Sequence, residues 1–144
     1  MGFKRHATAH WEGDLKTGQG RMSTPQSGLF DGTRYSFNTR FGEEKGSNPE
    51  ELLAAAHAGC FSMALSAQLA DNGTPAARIH TAANVHLEKL EAGFTITRVE
   101  LATEVEAPGL EEGKFQGLAA TAKANCPVSK ALAGTEIHLQ ATLR

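Results

Sequence analysis

Two cysteines, Cys60 and Cys126, are the residues of this 144-residue chain best suited to redox or nucleophilic chemistry. Cys60 lies within residues 52–70, an uncharged stretch, and an apolar setting raises the pKa of a thiol and favours a packing role. Cys126 precedes Pro127 and is predicted to N-cap a short helix, whose backbone N–H groups favour a thiolate. Two such thiols could form a redox couple, although sequence alone does not show that they come within bridging distance.

His57 lies three residues before Cys60 on the same predicted helical face, which makes a nucleophilic Cys–His dyad conceivable. The alternative is a partly buried histidine that is hydrogen-bonded to backbone or solvent. The remaining histidines are scattered over predicted strands, and His6 and His10 on one strand would be roughly 13 Å apart, too far for one ion. We therefore predict no metal site and no cofactor.

Three charged residues lie near the start of the cysteine-bearing segment. Glu51 suits a helix-capping role, whereas the helix cap depends less on Glu50. Arg40 is predicted on the polar face of a strand, where arginine is normally solvated. A guanidinium is nevertheless the group needed to stabilise a thiolate at Cys60 and to orient a peroxide oxygen.

The Cys60 segment is predicted to be one long helix. Asn48 can N-cap it, Pro49 suits its first position, Glu51 completes a capping box, and Asp71-Asn72-Gly73 ends it. Its apolar stretch approaches the length of a membrane span, but alanines and polar residues dilute it, so insertion would be weakly driven. We interpret it as a helix buried on most sides.

The other elements follow from hydrophobic periodicity. Before the long helix we predict strands over residues 4–11, 19–24 and 34–41, the last carrying Arg40. After it we predict a hairpin of residues 79–90 and 94–105, with a bulge near Thr97 and Arg98, since the apolar positions change parity there. A helix around residues 115–122, a short helix over 127–132 and a strand over 137–143 complete an α+β chain.

Length and composition limit the classes of function. The length fits a single domain over residues 1–144 that needs no disulfide or metal to fold. A net charge of −2 without a basic patch argues against nucleic acid or an anionic membrane as partner. Two cysteines are too few for a secreted disulfide framework, and the N-terminus has no signal-peptide pattern, so we expect a cytoplasmic protein.

Three stretches, AHWEGDLKTGQG, FNTRFGEEKGSNPEELLAAAHAGCFSMALS and NCPVSKAL, occur in this order and spacing. They closely resemble the OsmC/Ohr family of hydroperoxide-reducing proteins, in particular its OsmC branch, and the likeness covers almost the whole chain. The resemblance implies an OsmC-like α+β fold with antiparallel sheets wrapped around a buried central Cys-bearing helix. It also implies an intertwined homodimer with active sites at the subunit interface.

The resemblance further implies a thiol peroxidase that reduces organic hydroperoxides, and hydrogen peroxide more weakly, in oxidative and osmotic stress defence. It makes Cys60 the peroxidatic and Cys126 the resolving cysteine, with Glu50 and Arg40 beside the thiolate. The external dithiol could be a lipoyl protein, thioredoxin or a small thiol. In the Ohr branch the cation comes from an earlier strand, where this chain offers Lys16 and Arg21.

Two features of the implied site are open to a structural check. Phe61, Met63 and Leu53 are apolar neighbours of Cys60 that could line a pocket for an organic hydroperoxide. Glu50 and Cys60 would be about 15 Å apart along an ideal helix and roughly 80° apart around it. Either the helix breaks near residues 56–59, or Glu50 and Arg40 reach the cysteine of another subunit.

Two other functions use the same residues. A non-catalytic redox sensor or binding protein would use the cysteine pair to switch a dimer surface, and its oxidation would be stoichiometric, without turnover. An acyl-transfer enzyme would use Cys60 with His57, and its activity would survive the loss of Cys126.

Overall fold

The computed structural model describes residues 1–144 and contains six strands and four helices. In chain order these are β1 (Thr8–Glu12), β2 (Gln19–Ser23), β3 (Thr33–Tyr35), α1 (Phe37–Phe41), α2 (Pro49–Asp71), β4 (Arg78–Leu90), β5 (Gly93–Glu106), α3 (Glu112–Asn125), α4 (Pro127–Ala131) and β6 (Glu136–Leu143). The predicted α+β class is confirmed. The chain divides into two compact units, residues 1–52 and 53–144. Whether they fold as one domain over residues 1–144 stays a prediction.

The first unit is built on an antiparallel sheet in the order β1-β2-β3. Trp11 of β1 pairs with Gly20 of β2, which in turn pairs with Tyr35 of β3. A Cβ atom on Gly20 would lie 2.6 Å from the Trp11 ring and 2.5 Å from the Tyr35 ring. Because glycine has no side chain there, the two aromatic rings meet above it, with centroids 5.6 Å apart.

The strand predicted over residues 34–41 is wrong beyond Tyr35, because α1 begins at Phe37. Ser36 caps this helix: its Oγ accepts the Thr39 backbone N–H at 3.3 Å, while its own N–H donates to Thr39 Oγ1 at 2.8 Å. Phe37 and Phe41 occupy alternate apolar positions in the strand prediction. On the helix their rings instead lie one turn apart and pack at a tilt, with centroids 4.9 Å apart. Local capping thus overrides the alternation and places Arg40 on a helix.

Helix α2 begins and ends where its capping residues predict. Asn48 Oδ1 accepts the Glu51 backbone N–H at 2.8 Å, and Gly73 follows the helix with a φ of 80°. The helix is continuous from Pro49 to Asp71, so the predicted alternative of a break near residues 56–59 is wrong. The reason is that Gly59 stays helical, and glycine lowers helix stability without preventing a helix.

The expectation that α2 is buried on most sides is wrong for the single chain. One stripe is buried, formed by His57, Phe61, Leu65 and Leu69. The opposite face is exposed and carries mostly small side chains, namely Ala56, Gly59, Met63, Ser66, Ala67 and Ala70. By length and composition α2 could cross a membrane, a test that core helices also pass. Its buried stripe packs within protein, as a core helix does.

The second unit contains the sheet β4-β5-β6. Strands β4 and β5 form the predicted antiparallel hairpin, and Thr97 is left unpaired because His86 pairs with Arg98 while Leu87 pairs with Ile96. The predicted bulge is therefore confirmed. Strand β6 runs parallel to β5, which departs from the purely antiparallel sheets that the resemblance implied. The core joins the α2 stripe to β5 and α3 through Val99, Leu101, Val105, Phe115, Ala119 and Ala122.

Candidate active site

The two cysteine thiols lie together in the second unit. Cys60 projects from α2 and is partly buried, whereas Cys126, at the junction of α3 and α4, is fully buried. Both are free thiols, and each lies close enough to shift the pKa of the other. Helix α3 ends at Cys126 because Pro127 follows, and the same residue N-caps α4 as predicted. A helix end thus presents Cys126 to Cys60.

Burial and hydrogen bonding act differently on the two thiols. Burial raises the pKa of Cys60, and the hydrogen bond with Cys126 raises it further, while the Val128 N–H opposes the shift. Burial also raises the pKa of Cys126, but hydrogen bonds from Cys60, from the N–H and hydroxyl of Ser129 and from the Val128 N–H outweigh it, and the net shift is downward. Within one chain the pKa of Cys126 therefore lies below its ordinary value, and that of Cys60 lies above it.

His57 does not form the considered dyad with Cys60. Its Nε2 lies 2.8 Å from Ser129 Oγ, and its Nδ1 has no hydrogen-bond partner in the chain. The imidazole is fully buried, and this burial lowers its pKa. The reason for the difference is that α4 supplies the Ser129 hydroxyl to the helix face where His57 points, so the histidine pairs with Ser129 instead.

Arg40 and Glu50 form an ion pair within the first unit. Arg40 Nη2 donates to Glu50 Oε1 at 2.6 Å, and Arg40 Nε lies 3.1 Å from both carboxylate oxygens. The Glu50 side chain is only 11% exposed and that of Arg40 34%. The guanidinium also lies over the Phe41 ring, 5.1 Å from its centroid. Helix α1 and the first turn of α2 thus hold one guanidinium in a defined orientation.

The Arg40 side chain borders an apolar cavity of about 290 Å³ in the first unit. Its other lining residues are mostly aromatic: Trp11, Leu15, Tyr35, Ser36, Phe37 and Phe41. A cavity with one cation among apolar walls can bind an organic molecule that has one polar end. The residues that line this cavity come from β1, β3 and α1 and from the loop between β1 and β2.

The three residues predicted to line a substrate pocket do not come together. Phe61 is fully buried in the core, Met63 is 78% exposed, and Leu53 is partly buried. Successive helical residues are about 100° apart, so Phe61 and Met63 face opposite sides of α2. Within one chain these side chains do not share a cavity, and their role in lining a substrate pocket stays a prediction.

Sequence reasoning missed several residues of these clusters. Ser129 carried no signal except its place three residues after a predicted N-cap. The only tryptophan and the only tyrosine of the chain, Trp11 and Tyr35, were available as unusual residues, and Gly20 as a glycine within a strand, which marks a close approach. No group of three or more His, Cys, Asp or Glu side chains is placed so that it could hold a metal ion.

The two alternative cations of the Ohr pattern lie in the first unit. Arg21 on β2 donates to the Gly32 carbonyl at 2.8 Å, so its guanidinium is bound to a loop. Lys16 lies in the exposed loop between β1 and β2. Neither residue borders the apolar cavity, whereas Arg40 does.

Comparison with known proteins gives a consistent result. The family model described as OsmC-like protein matches residues 42–141. The chain is 51% identical to peroxiredoxin OsmC of Escherichia coli (strain K12) over 132 residues, which cover 92% of each chain. It is 37% identical over 95 residues to the organic hydroperoxide resistance protein OhrA of Bacillus subtilis (strain 168), with 63% of each chain covered.

Solved structures share the fold. An organic hydroperoxide resistance protein from Elizabethkingia anophelis superposes with a TM-score of 0.74 at 25% identity over the whole of both chains. OhrB of Bacillus subtilis superposes with a TM-score of 0.67 at 24% identity, covering 96% of this chain and 98% of that one. These similarities confirm the fold that the three motifs implied, and the chain belongs to the OsmC-like protein family.

Proposed function

We propose that the protein is a thiol-dependent peroxidase that reduces organic hydroperoxides, and hydrogen peroxide more weakly, at the expense of an external dithiol. The observation that carries the proposal is the pair of free thiols, Cys60 and Cys126, which come from distant parts of the chain and lie close enough to shift each other's pKa. The names of the relatives, peroxiredoxin and organic hydroperoxide resistance protein, support the same class of reaction.

The reaction uses the two thiols in sequence. The Cys60 thiolate attacks the distal peroxide oxygen, the O–O bond breaks, and the alkoxide takes a proton from solvent and leaves as alcohol. Cys60 is then a sulfenic acid. The Cys126 thiolate attacks its sulfur, an S–S bond forms, the S–O bond breaks, and hydroxide leaves to become water. The dithiol reduces the disulfide and is itself oxidised.

Arg40 is proposed to stabilise the Cys60 thiolate and the charge developing on the peroxide, with Glu50 orienting its guanidinium. Since α2 is continuous, Glu50 and Cys60 are about 15 Å apart along its axis, and one straight helix cannot bring them together. We therefore propose that Arg40 and Glu50 serve Cys60 of the partner subunit. The upward pKa shift of Cys60 within one chain agrees with a site that lacks its cation until two chains associate.

The homodimer that this requires is proposed to use the exposed face of α2. The stripe from Ala56 to Ala70 carries glycine, alanine and serine, which allow two helices to approach closely. Met63, 78% exposed, is the large apolar residue of this stripe and would be covered in such a dimer. Sedimentation should give a dimer, and Ala67→Glu, which puts a charge in the stripe, should weaken it.

The apolar cavity beside Arg40 is proposed to bind the organic part of the substrate. The aromatic walls exclude water from an alkyl or aryl tail, while the guanidinium attracts the peroxide group. Hydrogen peroxide has no tail to fill the cavity, so its reduction should be slower. A reducing compartment that regenerates the dithiol form agrees with a cytoplasmic location.

The first test is turnover of cumene hydroperoxide with dihydrolipoamide, thioredoxin or dithiothreitol as the reductant. We expect multiple turnovers by the wild type, no reaction by Cys60→Ser, and a single oxidation without regeneration through a disulfide by Cys126→Ser. Stoichiometric oxidation of the wild type without turnover would instead indicate a redox sensor. Activity that survives in Cys126→Ser under all reductants would remove the resolving role.

The second test is complementation between two inactive variants. Co-expressed Arg40→Ala and Cys60→Ser chains form heterodimers in which one site combines Arg40 of the second chain with Cys60 of the first. If the site is shared between subunits, random pairing restores about a quarter of the wild-type activity. If each site belongs to one chain, the mixture stays as inactive as the separate variants.

A further inference from the structure

The loop between β1 and β2 closes on itself through hydrogen bonds of its own residues. Asp14 Oδ1 accepts the Thr17 backbone N–H at 2.7 Å and the Thr17 hydroxyl at 2.8 Å, and the Asp14 carbonyl accepts the Gly18 N–H at 2.9 Å. At the start of the loop, Trp11 Nε1 donates to the Gly13 carbonyl at 3.0 Å. Aspartate side chains that bind the backbone a few residues on stabilise turns, so these bonds hold the loop in one conformation.

The same loop packs closely against the Trp11 ring. A Cβ atom on Gly18 would lie 2.3 Å from the Asp14 carbonyl oxygen and 2.9 Å from the Trp11 ring, so only glycine fits at this position. Gly13 has a φ of 92°, which glycine adopts without strain. The indole of Trp11 is also a wall of the apolar cavity beside Arg40. The loop is therefore fixed relative to the cavity by hydrogen bonds and by packing.

Leu15 is the residue of this loop that lines the cavity. Its neighbours Asp14 and Lys16 do not border the cavity, and Leu15 itself is 61% exposed. Folding thus leaves much of this apolar side chain in contact with water. A molecule that fills the cavity would cover it, and burial of apolar surface is favourable in proportion to the area removed from water. Leu15 is therefore placed to contact an apolar ligand.

We propose that Leu15 is a specificity-determining residue, which contacts the organic tail of the hydroperoxide when the Arg40 guanidinium attracts the peroxide group. The inference rests on the proposed peroxidase function and deepens it, because it names a residue by which the cavity selects among hydroperoxides. The favoured class is a hydroperoxide with an alkyl or aryl tail large enough to reach the Leu15 side chain within a cavity of about 290 Å³. Asp14 is a positioning residue, since its hydrogen bonds hold the loop that carries Leu15.

Truncating Leu15 to alanine should weaken binding according to the apolar area that the tail covers. Burial of one methylene group corresponds to about a fourfold change in affinity, and a leucine that the ligand contacts on one side loses slightly more than that. The Kd for a cumyl tail should therefore rise about fivefold in Leu15→Ala. Hydrogen peroxide has no tail, so the ratio of kcat/KM for cumene hydroperoxide to that for hydrogen peroxide should fall about fivefold. A variant that only loosened the protein would lower both values together.

The first part of the experiment measures binding without turnover. Trp11 is the only tryptophan of the chain and a wall of the cavity, so its fluorescence reports what occupies the cavity. In Cys60→Ser, cumyl alcohol, the product of cumene hydroperoxide reduction, should change this emission in a saturable way. Adding Leu15→Ala or Asp14→Ala should raise the Kd, whereas Asp14→Asn, whose side-chain oxygen accepts the same bonds, should restore it. Leu29→Ala, which truncates a 79% exposed leucine away from the cavity, is the matched control and should leave the Kd unchanged.

The second part measures kcat/KM for cumene hydroperoxide and for hydrogen peroxide with saturating dihydrolipoamide. A fivefold fall of their ratio in Leu15→Ala, with Leu15→Met of similar volume close to wild type, supports the inference. An unchanged Kd for cumyl alcohol in Leu15→Ala overturns it, as does an equal loss of kcat/KM towards both peroxides, or a Trp11 emission that cumyl alcohol never changes. If the wild type reduces no hydroperoxide, the proposed function fails, and the Kd for cumyl alcohol by itself decides whether Leu15 contacts the tail.

Discussion

Replacing Glu50 by glutamine tests whether the ion pair positions the guanidinium. Three N–H···O contacts of 2.6 to 3.1 Å join Arg40 to a carboxylate whose side chain is only 11% exposed. Glutamine keeps one acceptor oxygen, but it loses the negative charge and turns an amide N–H₂ towards Arg40 Nε. Arg40 is 34% exposed, so solvent screens part of the interaction. A loss of about 1.5 kcal/mol is a reasonable magnitude for such a charged hydrogen-bonded pair.

This free energy converts to a rate if the guanidinium acts in the first chemical step. Since about 1.4 kcal/mol corresponds to tenfold, kcat/KM for cumene hydroperoxide should fall about tenfold in Glu50→Gln. The assay is steady-state turnover with saturating dihydrolipoamide, together with the rate of Cys60 oxidation in a single turnover. Arg40→Lys, which keeps the charge but loses the planar fork, should lose at least as much.

Glu51→Gln is the matched control for this prediction. The residue follows Glu50 on the same helical turn, is exposed, and contacts the Asn48 amide at 3.4 Å rather than Arg40. It should retain kcat/KM within about twofold, since a weak exposed contact contributes well under 1 kcal/mol. Wild-type kcat/KM in a folded Glu50→Gln variant, or an equal loss in both variants, would refute the positioning role of Glu50.

Three further predictions concern the cavity, the buried histidine and the disulfide. Gly20→Ala should displace the two aromatic walls of the cavity, raising KM for cumene hydroperoxide about tenfold while leaving hydrogen peroxide turnover within about twofold. The control Gly117→Ala, in open space on α3, should change neither value. Equal effects of Gly20→Ala on both substrates would contradict the proposed cavity role. Burial lowers the pKa of His57, so the unfolded chain binds more protons below about pH 6.5, and stability should fall as the pH drops through that value. Urea unfolding at pH 7.5 and 5.5 should show a smaller loss in His57→Gln than in wild type, and an identical loss would exclude this origin. Oxidation by one equivalent of hydroperoxide should form a Cys60–Cys126 disulfide that closes a loop of about 67 residues and stabilises the protein by up to roughly 4 kcal/mol. The measurement is a rise in Tm that a dithiol reverses. Cys126→Ser should show no such rise.

Elements whose ends carry their own chemical signals were predictable. The start of α2 follows from Asn48, Pro49 and Glu51, and its end from Gly73, because capping acts within a few residues. The bulge at Thr97 was visible as a change in the parity of the apolar positions. In α1 two local signals competed, and the alternation of aromatic residues favoured a strand. The reciprocal capping of Ser36 and Thr39 prevailed, with Thr39 also donating to the Ser47 carbonyl at 2.9 Å.

The sequence by itself determined which residues could react and, through its motifs, the family of the chain. It also determined that Cys126 lies at a helix start, because Pro127 ends one helix and begins the next. Capping, turn and periodicity signals are local, and they reach no further than a few residues along the chain.

Only the tertiary structure decided which of those residues meet. The packing of α4 against α2 brings Cys126 close to Cys60. It also places Ser129 next to His57, 72 residues away in sequence. This His57–Ser129 contact takes the place of the His57–Cys60 dyad that spacing along the helix had suggested. The cavity beside Arg40 depends in the same way on the register of three strands around Gly20. Contacts between distant segments follow from the burial of apolar faces and the satisfaction of buried polar groups, which only the folded chain specifies.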